Sequence, residues 1–581
     1  MSRKQQTAGG GTADSAGDSS GAERLRDCIA AVLRVAPGDL RLERSLAGLG
    51  IDSLAAVELR SLLAADFGLD VGIAELLESA TLGSLQARLA SVAAAAGGEP
   101  ALEAPSPADS IAAGADHADH ADHPVSQGQL SLWLLEQLAP ESGHQNLVFA
   151  ARVRKSLSVG ELARRAQSVV ETLMDRHAAL RTTFPAPGGD PVQRVHRWLA
   201  APCEQIDAGG WTEAELGAAV AAFAHRPFAL ASEPPLRLAV VSRAADDHLL
   251  VVAAHHIAID HGSFELLREE IERLYPAGCG EAPTALPAPA AQAGDFARWQ
   301  EQLLAGPEGE RQWRYWQEQL SGELPVLALP GDRPRRLGRS YRGATVALDL
   351  GAAATARLKE RAQREETTLF TVLLAAFELL LHRVSGEREL LVGTPVAGRT
   401  AAWSREVVGY LMNPLVLRSR LDGEAPLRGF LAATRGVVLG GLEHQDYPTH
   451  RLAERLREGG DGDLFRAMFI WNRPHRRAAA SAARFVLGEA GARMTVGGLT
   501  LESFALPERR ASLDLQLMMV EDGDGIAGSL LYPTERFDRA TAQRLAAHLQ
   551  CLLAGIADLA DAAAGALPLL TAAESNQLVR E

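Results

Sequence analysis

Two short motifs contain residue types that could do chemistry. In the first, Ser53 stands where a loop meets a helix with periodic apolar residues, a natural N-cap position for a hydroxyl. In the second, His255 and His256 follow an apolar run, and Asp260 comes after three further residues. Neighbouring side chains at a strand end point to opposite sides, so one histidine can face a cleft while the other packs. The second motif therefore predicts one histidine that is available to a bound substrate.

Each motif has a simpler interpretation when it is taken alone. Ser53 could act only as a helix cap, and the two histidines could be satisfied side chains at a strand end. A metal is disfavoured because the chain offers no further ligand set at recognisable spacing. The threefold Ala-Asp-His tract at residues 115–123 could bind a metal, but such tracts are usually solvated spacers. The cysteines lie far apart and form no CxxC pair, which argues against a metal site or a disulfide framework: Cys28, Cys203, Cys279 and Cys551.

The elements around the motifs can be read from the apolar pattern. A helical pattern runs from Glu23 to about Leu89, which predicts a small helical bundle around Ser53. An Ala/Gly/Pro-rich segment follows and predicts a linker. Beyond it, helical stretches alternate with β-rich ones to the C-terminus. Strands are predicted at Leu236–Ser242 and His248–Ala254 and a helix from Phe264, so the histidine motif joins a strand to a helix.

Composition bounds the class of protein. At 581 residues the chain predicts three or four folding units. Apolar residues make up 47% and charged residues 23%, and no apolar run approaches the roughly 20 residues of a membrane span. The polar N-terminus lacks the apolar core of a secretory signal, so we expect a cytoplasmic protein with a disordered leader. The net charge of −15, with no basic stripe, disfavours nucleic acid as a partner.

The segment around Ser53 resembles the phosphopantetheine attachment site of acyl carrier domains. The resemblance lies in Leu49–Leu54, followed by Val57–Arg60, within a bundle of matching size. It implies that the Ser53 hydroxyl carries the 4'-phosphopantetheine arm and that Asp52 helps the modifying phosphopantetheinyl transferase. A phosphodiester at a helix N-terminus also meets the favourable end of the helix dipole. The wording Gly-Ile-Asp-Ser looks more like polyketide-type than peptidyl carriers, so we expect a polyketide or simple acyl donor.

The His-His-x-x-x-Asp spacing resembles the core motif of condensation domains of nonribosomal peptide synthetases, relatives of chloramphenicol acetyltransferase. Six further segments resemble family motifs in the same order: Pro124–Leu130, Arg176–Phe184, Asp295–Trp299, Val392–Arg399, Val408–Arg418 and His444–Pro448. The resemblance implies an all-α four-helix carrier followed by an α/β body of two lobes with a tunnel between them. Epimerase-type relatives share the core motif. A cyclising relative is disfavoured because that class has Asp at the position of His255.

The resemblance also assigns roles. His256 is expected to hydrogen-bond the attacking nucleophile as base or positioner, with His255 beside it. Asp260 is expected to pair with an arginine, either Arg181 or Arg399, and to hold the loop. One departure stands out: the family usually has Gly directly after the motif Asp, whereas this chain has His261 there and Gly262 next. Histidine disfavours the backbone dihedrals that glycine allows, so the local environment of the motif is in question.

These observations predict a layout and an activity. We expect a leader at 1–21, an acyl carrier domain at 22–92, a linker at 93–123, and condensation-domain lobes at 124–297 and 298–581. The predicted reaction is transfer of the acyl thioester on Ser53 to an amine or hydroxyl acceptor, giving an amide or ester in natural-product (antibiotic, secondary-metabolite) biosynthesis. Expected partners are an upstream polyketide synthase or acyl-loading enzyme, the phosphopantetheinyl transferase, and a downstream carrier-bound or free acceptor. The alternatives are an inactive docking module and an epimerase-type relative.

Overall fold

The computed structural model describes most of the chain, in two compact units. The described residues are 15–33, 35–46, 49, 51, 53–94, 120–276, 278, 282–335, 340–456, 464–472, 480–559 and 562–580. One unit is formed by residues up to Leu102, and the other by nearly all the rest. The predicted fold class, a helical carrier followed by a two-lobed α/β body, is confirmed.

The first unit is a helical bundle. Its helices are α1 (Ser15–Leu33), α2 (Ser53–Phe67), α3 (Ile73–Glu78) and α4 (Leu82–Ala94). Apolar residues three or four positions apart meet in its core, where Leu25, Ile29, Leu59, Leu63 and Leu85 are fully buried. This repeat is the reason the sequence forms helices here, because each helix gains stability mainly by burying its apolar face.

The second unit begins with a lobe built around a mixed sheet. The strands of this lobe are β1 (His120–Pro124), β2 (Asn146–Val153), β3 (Thr182–Thr183), β4 (Val192–His196), β5 (Cys203–Asp207), β6 (Leu236–Ala244) and β7 (Asp247–His255). Of these, β1, β4 and β3 form a separate three-stranded sheet. Its helices are α5 (Gln127–Leu138), α6 (Val159–Arg176), α7 (Glu213–His225) and α8 (His261–Leu274). The β6–β7 hairpin continues in antiparallel pairing onto β2. β7 is therefore an inner strand of this sheet, with β2 on one side and β6 on the other.

The C-terminal lobe is built on a larger sheet. Its first elements are α9 (Ala293–Ala305), α10 (Pro307–Gln319), β8 (Arg342–Asp349), α11 (Gly351–Arg364), α12 (Leu369–Ser385), β9 (Glu389–Val396), β10 (Asn413–Arg420), α13 (Leu427–Glu443) and α14 (Thr449–Leu456). The rest of the chain forms β11 (Ala467–Asn472), α15 (Ala480–Leu487), β12 (Arg493–Val496), β13 (Leu499–Ser503), β14 (Arg509–Arg510), β15 (Leu515–Asp522), β16 (Gly525–Pro533), α16 (Arg539–Asp558) and α17 (Ala572–Arg580). Of these, β12 and β13 join the sheet of the N-terminal lobe. The seven-stranded order is β10-β9-β11-β15-β16-β8-β14.

Two strands from the C-terminal part of the sequence complete the sheet of the N-terminal lobe. The six-stranded sheet of the N-terminal lobe has the order β12-β13-β2-β7-β6-β5, so two of its strands come from the C-terminal part of the sequence. Leu501 of β13 pairs with Val153 of β2, and both side chains are buried. The predicted lobe boundary between residues 297 and 298 is therefore wrong as a division of the fold, and it also cuts through α9.

The predicted linker at 93–123 is too long at both ends. Helix α4 continues to Ala94, and residues 120–124 form β1, antiparallel to β4. An Arg194–Asp122 ion pair at 2.7 Å holds this strand. Residues 95–119, with most of the Ala-Asp-His tract, lie outside the described residues, as do the leader up to residue 14 and Cys279. Within the described residues, no group of three metal-ligand side chains comes together.

No single helix in the described ranges is long and apolar enough to cross a membrane. One bent pair, α11 with α12, passes such a test by length and composition only. Twelve residues of α12 are buried inside the C-terminal lobe, which accounts for its apolar composition.

Candidate active site

His255 is the last residue of β7 and is buried completely. Its Nδ1 accepts a hydrogen bond of 3.1 Å from the backbone N–H of Ile257, and its Nε2 lies 3.4 Å from a carboxylate oxygen of buried Glu136 on α5. Because Nδ1 acts as an acceptor, the proton of the neutral ring is on Nε2 and faces Glu136. His255 therefore folds the turn after β7 and anchors it to α5.

His256 leaves the strand on the other side and is only half-buried. Its Nδ1 donates a hydrogen bond of 2.8 Å to the carbonyl of Ile259, and the edge-to-face ring of Tyr410 lies 5.0 Å away between centroids. A carbonyl oxygen can only accept, so the proton of the neutral ring is on Nδ1 and the Nε2 lone pair is available. Burial lowers the pKa of His256, although the Ile259 carbonyl favours the protonated ring. At neutral pH the imidazole of His256 is therefore unprotonated at Nε2, and this nitrogen can accept a hydrogen bond or a proton.

Asp260 caps α8 and connects the two lobes. Arg399, which follows β9 in the C-terminal lobe, donates to both carboxylate oxygens at 2.9 Å, and both the N–H and the hydroxyl of Ser263 donate at 2.8 Å. The backbone N–H groups of Leu411 and Met412 add bonds of 3.1 and 3.2 Å. Burial would raise the pKa of Asp260, but Arg399 and these donors hold it below its ordinary value. Asp260 is thus a buried carboxylate that holds the turn through donors from both lobes.

Of the two arginines considered for Asp260, the structure places Arg399 against it. Arg181 instead donates to backbone carbonyls of its own lobe, including that of His196 at 2.9 Å. Arg181 therefore fastens the segment after α6 to β4, while Arg399 joins the lobes beside His256.

The departure from the family pattern after Asp260 is accommodated by the next residue. A Cβ on Gly262 would lie 2.8 Å from Nη1 of Arg399, so a larger residue at 262 would make the guanidinium shift from its position. His261 is exposed as the first residue of α8, and its Nε2 is hydrogen-bonded to the side-chain amide of Asn472 at the end of β11. The Asp260–Arg399 pair is therefore intact despite the histidine.

Several residues that support the site were not singled out as site residues in the sequence. Gln129 of α5 donates to the carbonyl of Ile257 at 3.2 Å, which holds the histidine turn from below. Its partner in a capping box is Ser126, and a Ser-x-x-Gln signature of this kind was visible in the sequence. A Cβ on Gly128 would lie 2.5 Å from the Tyr410 ring that flanks His256. The first turn of α5 therefore packs against the histidine turn and against Tyr410.

Ser53 is in the first unit, where α2 begins at this residue. Asp52 and Gly50 lie outside the described residues. A phosphodiester on Ser53 would stand at the N-terminus of a 15-residue helix, whose unpaired N–H groups favour an anion, so the position fits the 4'-phosphopantetheine arm.

Two family models match the chain. The condensation domain model matches residues 120–579, and the phosphopantetheine attachment site model matches residues 23–89. This chain belongs to the condensation domain family. The predicted acyltransferase class and the 4'-phosphopantetheine cofactor are confirmed by these matches.

The curated relatives of this condensation domain chain are much longer proteins. Tyrocidine synthase 3 of Brevibacillus parabrevis is 32% identical over 534 residues, which are 91% of this chain and 8% of that synthase. Surfactin synthase subunit 1 of Bacillus subtilis (strain 168) is 29% identical over 534 residues, 91% of this chain and 14% of that synthase. The chain therefore spans about a tenth of the length of such relatives. These relatives are peptide synthetases and give no support to the predicted polyketide-type donor.

Solved structures share the condensation fold. A holo four-domain nonribosomal peptide synthetase bound to AMP and glycine has a TM-score of 0.70 at 22% identity, covering 80% of this chain and 35% of that one. The X-domain from teicoplanin biosynthesis has a TM-score of 0.67 at 26% identity, covering 81% of this chain and all of that one. The condensation domain from Monacolin K polyketide synthase reaches 0.63 at 21% identity, covering 76% and 99%.

Proposed function

We propose that this chain forms amide bonds between an aminoacyl or peptidyl thioester on the arm at Ser53 and an amine acceptor. The observation that supports this reaction is the state of His256, whose Nδ1–H is held by the Ile259 carbonyl and whose Nε2 is left as a proton acceptor. The amine nitrogen attacks the thioester carbonyl, His256 takes the amine proton, the C–S bond breaks, and His256 returns that proton to the released thiolate. An α-amine has a pKa of roughly 7.7–8.0, so part of it is already neutral at physiological pH, and positioning by His256 contributes alongside proton removal.

His255 and Asp260 act in this proposal as positioning residues. His255 fixes the turn through Glu136 and Ile257, and Asp260 fixes it through Arg399. The altered residue at 261 leaves this arrangement in place, so no observation favours an inactive docking module. We place the reaction in the cytoplasm, with a phosphopantetheinyl transferase, an upstream loading enzyme and a downstream carrier-bound or free acceptor as partners.

The test loads Ser53 of the full chain with synthetic leucyl-phosphopantetheine, using a promiscuous phosphopantetheinyl transferase. Aminoacyl thioesters, free amines and alcohols are then offered, and the chain and products are followed by mass spectrometry. A second loading with a butyryl arm examines the polyketide-type donor. We expect amide products from the leucyl arm, no loading of Ser53→Ala, and at least a 100-fold loss in His256→Ala, in the range of a lost acid–base group.

The matched control is His120→Ala, which removes an exposed histidine of β1 and should keep the wild-type rate. Equal product yield with and without His256 would contradict the mechanism and return the docking alternative. Inversion of the loaded aminoacyl centre without transfer would identify the epimerase-type alternative. Ester products alone would replace the amine acceptor by an alcohol.

A further inference from the structure

Tyr410 belongs to the segment between β9 and β10, which the C-terminal lobe supplies to the histidine turn. The backbone on each side of Tyr410 is bonded to the start of α8. The N–H of Gly409 donates to the hydroxyl of Ser263 at 3.0 Å, and the N–H of Leu411 donates to Asp260 at 3.1 Å. The backbone of Tyr410 is therefore fixed relative to the histidine turn from both directions along the chain.

The ring of Tyr410 is packed between the histidine turn and α5. Its side chain is nearly buried, with the residue only 8% exposed, and it joins the core of the N-terminal lobe. Its centroid lies 5.0 Å from that of the His256 imidazole, and the two rings are perpendicular. On the α5 side, a Cβ on Gly128 would lie 2.5 Å from Cε1 of the ring. The tyrosine ring can lie against His256 in this way because residue 128 has no side chain.

The ionisable groups around His256 act on it in opposite directions. Burial lowers the pKa of the imidazole most, the charge of Asp260 raises it, and the neighbouring His255 lowers it. Asp260 is itself paired with Arg399. Burial also raises the pKa of the Tyr410 phenol far above its ordinary value, so the phenol is neutral at physiological pH. The contribution of Tyr410 to His256 is therefore exclusion of water and not charge.

We propose that Tyr410 is a positioning residue that holds the imidazole of His256 in its orientation and keeps water from one side of it. The aromatic ring performs this role, because perpendicular rings at this separation attract each other, and the hydroxyl is not required. His256 lies in the N-terminal lobe and Tyr410 comes from the C-terminal one, so the base and its support belong to different lobes. This inference rests on the proposed function, because it concerns the base of the same reaction.

The first measurement needs no substrate. Diethyl pyrocarbonate acylates an unprotonated imidazole nitrogen, so the pH dependence of its reaction with His256 in the full chain, followed by peptide mass spectrometry, gives the pKa of that ring. We expect Tyr410→Leu to move the midpoint upward, toward the ordinary value for histidine, because water gains access to the imidazole. Tyr410→Phe should keep the wild-type midpoint. An unchanged midpoint in Tyr410→Leu would overturn the proposal.

Two further variants separate this effect from general damage to the fold. Gly128→Ala keeps the tyrosine but displaces its ring, so it should move the His256 midpoint in the same direction as Tyr410→Leu. The matched control is Tyr315→Leu, which removes a half-buried tyrosine stacked on His444 at 3.9 Å between centroids. This control should leave the midpoint of His256 unchanged. An equal shift in the control and in Tyr410→Leu would overturn the proposal.

The second measurement separates positioning from substrate binding. With leucyl-loaded Ser53 and the glycyl thioester of N-acetylcysteamine as acceptor, we expect Tyr410→Leu to lower kcat by about 10- to 100-fold with little change in KM, the scale of a misplaced catalytic group. The midpoint of kcat against pH should rise as it does in the labelling experiment. Tyr410→Phe should keep most of the wild-type kcat.

The outcomes are distinguishable from a failure of the proposed function. Equal losses of kcat in Tyr410→Phe and Tyr410→Leu would overturn the assignment to the ring and give the role to the hydroxyl. A raised KM with an unchanged kcat would overturn positioning and indicate a contact with substrate. If wild type forms no product with any acceptor, the proposed function fails, while the labelling midpoint still decides whether Tyr410 shields His256.

Discussion

This chain has His261 where its family usually has glycine, and the next residue, Gly262, is the one that packs against Arg399. The position is defined by the guanidinium of Arg399, which occupies the space that a Cβ would need. Arg399 is held there by Asp260, Ser263 and the carbonyl of Val407, so it cannot swing away without losing bonds to a buried carboxylate. The residue at position 262 therefore affects how closely Arg399 approaches Asp260 beside the histidine turn.

Gly262→Ala should lower amide formation at least tenfold and destabilise the fold by about 1–3 kcal/mol, the usual cost of forced repacking. The measurements are the transfer assay and urea unfolding. Gly436→Ala is the matched control, because Gly436 lies inside α13 with open space around its Cα, and alanine should add up to about 1 kcal/mol of stability there. Full activity of Gly262→Ala would show that Arg399 is free to move.

The sequence could predict which motif residues share one turn but not the partners of their side chains. The spacing of His255, His256 and Asp260 predicted which residues share a turn, because local order is decided by neighbours in the chain. It left Arg181 and Arg399 open, because the choice depends on a contact between segments 139 residues apart. The close packing at Gly262 depends on the same long-range contact.

At the level of single elements, α12 contains a buried carboxyl group that no ion pair compensates among its described contacts. Glu378 accepts hydrogen bonds from the hydroxyls of Ser419 on β10, at 2.6 Å, and Thr434 on α13, at 3.2 Å. Burial raises the pKa of Glu378 to about 7, against the two hydroxyls, which lower it. The helix is therefore most stable while this group is protonated.

The pH dependence of stability follows from that shift. The folded-state pKa is above the unfolded value, so the contribution of Glu378 is fully present below about pH 4.5 and is lost as the pH rises through about 7. We expect Glu378→Gln, which cannot ionise, to exceed wild type in stability at pH 8.5 by about 3 kcal/mol, with a much smaller difference at pH 5.5. Thermal unfolding at both pH values measures this. A difference that does not change with pH would contradict the assignment.

Strands with continuous apolar runs were predictable. The strand expected at Leu236–Ser242 is β6, two residues longer, and the one expected at His248–Ala254 is β7, extended by one residue at each end. Both were predicted well because a buried central strand is apolar along its length. β1 was missed because His-Ala-Asp-His has no strand propensity, and its pairing with β4 is made by tertiary context and the Arg194–Asp122 pair.

At the level of the whole molecule, β12 and β13 belong to the C-terminal part of the sequence but pair in the sheet of the N-terminal lobe. The N-terminal sheet is therefore complete only when the C-terminal part of the chain has also folded. Leu501 and Leu499 pack with Ala151, Val153 and Val240 in a small core that draws on both ends of the condensation domain. The sequence does not predict that β12 and β13 pair in the N-terminal sheet, because the apolar pattern of a short strand does not determine which sheet it joins.

Leu501→Asp should lower the free energy of unfolding by about 3 kcal/mol or more, because it buries a carboxylate without a partner. Thr500→Asp is the control on the same strand, where the side chain is exposed and the change should stay within about 0.5 kcal/mol. Denaturant unfolding followed by tryptophan fluorescence reports the difference. Equal effects of the two variants would show that β13 is not held against the N-terminal lobe.

The exchanged strands have a consequence for anyone who builds hybrid synthetases. A chimera that joins one parent's residues before 298 to another parent's residues after it would match β2 of one parent with β13 of the other, and would also mix the Asp260–Arg399 contact. In such a hybrid, the side chains that pack between β2 and β13 and those that surround the Asp260–Arg399 pair come from different parents and do not match. Recombination that keeps residues 120–580 together, or that moves 493–503 with the N-terminal lobe, avoids the mismatch in the sheet.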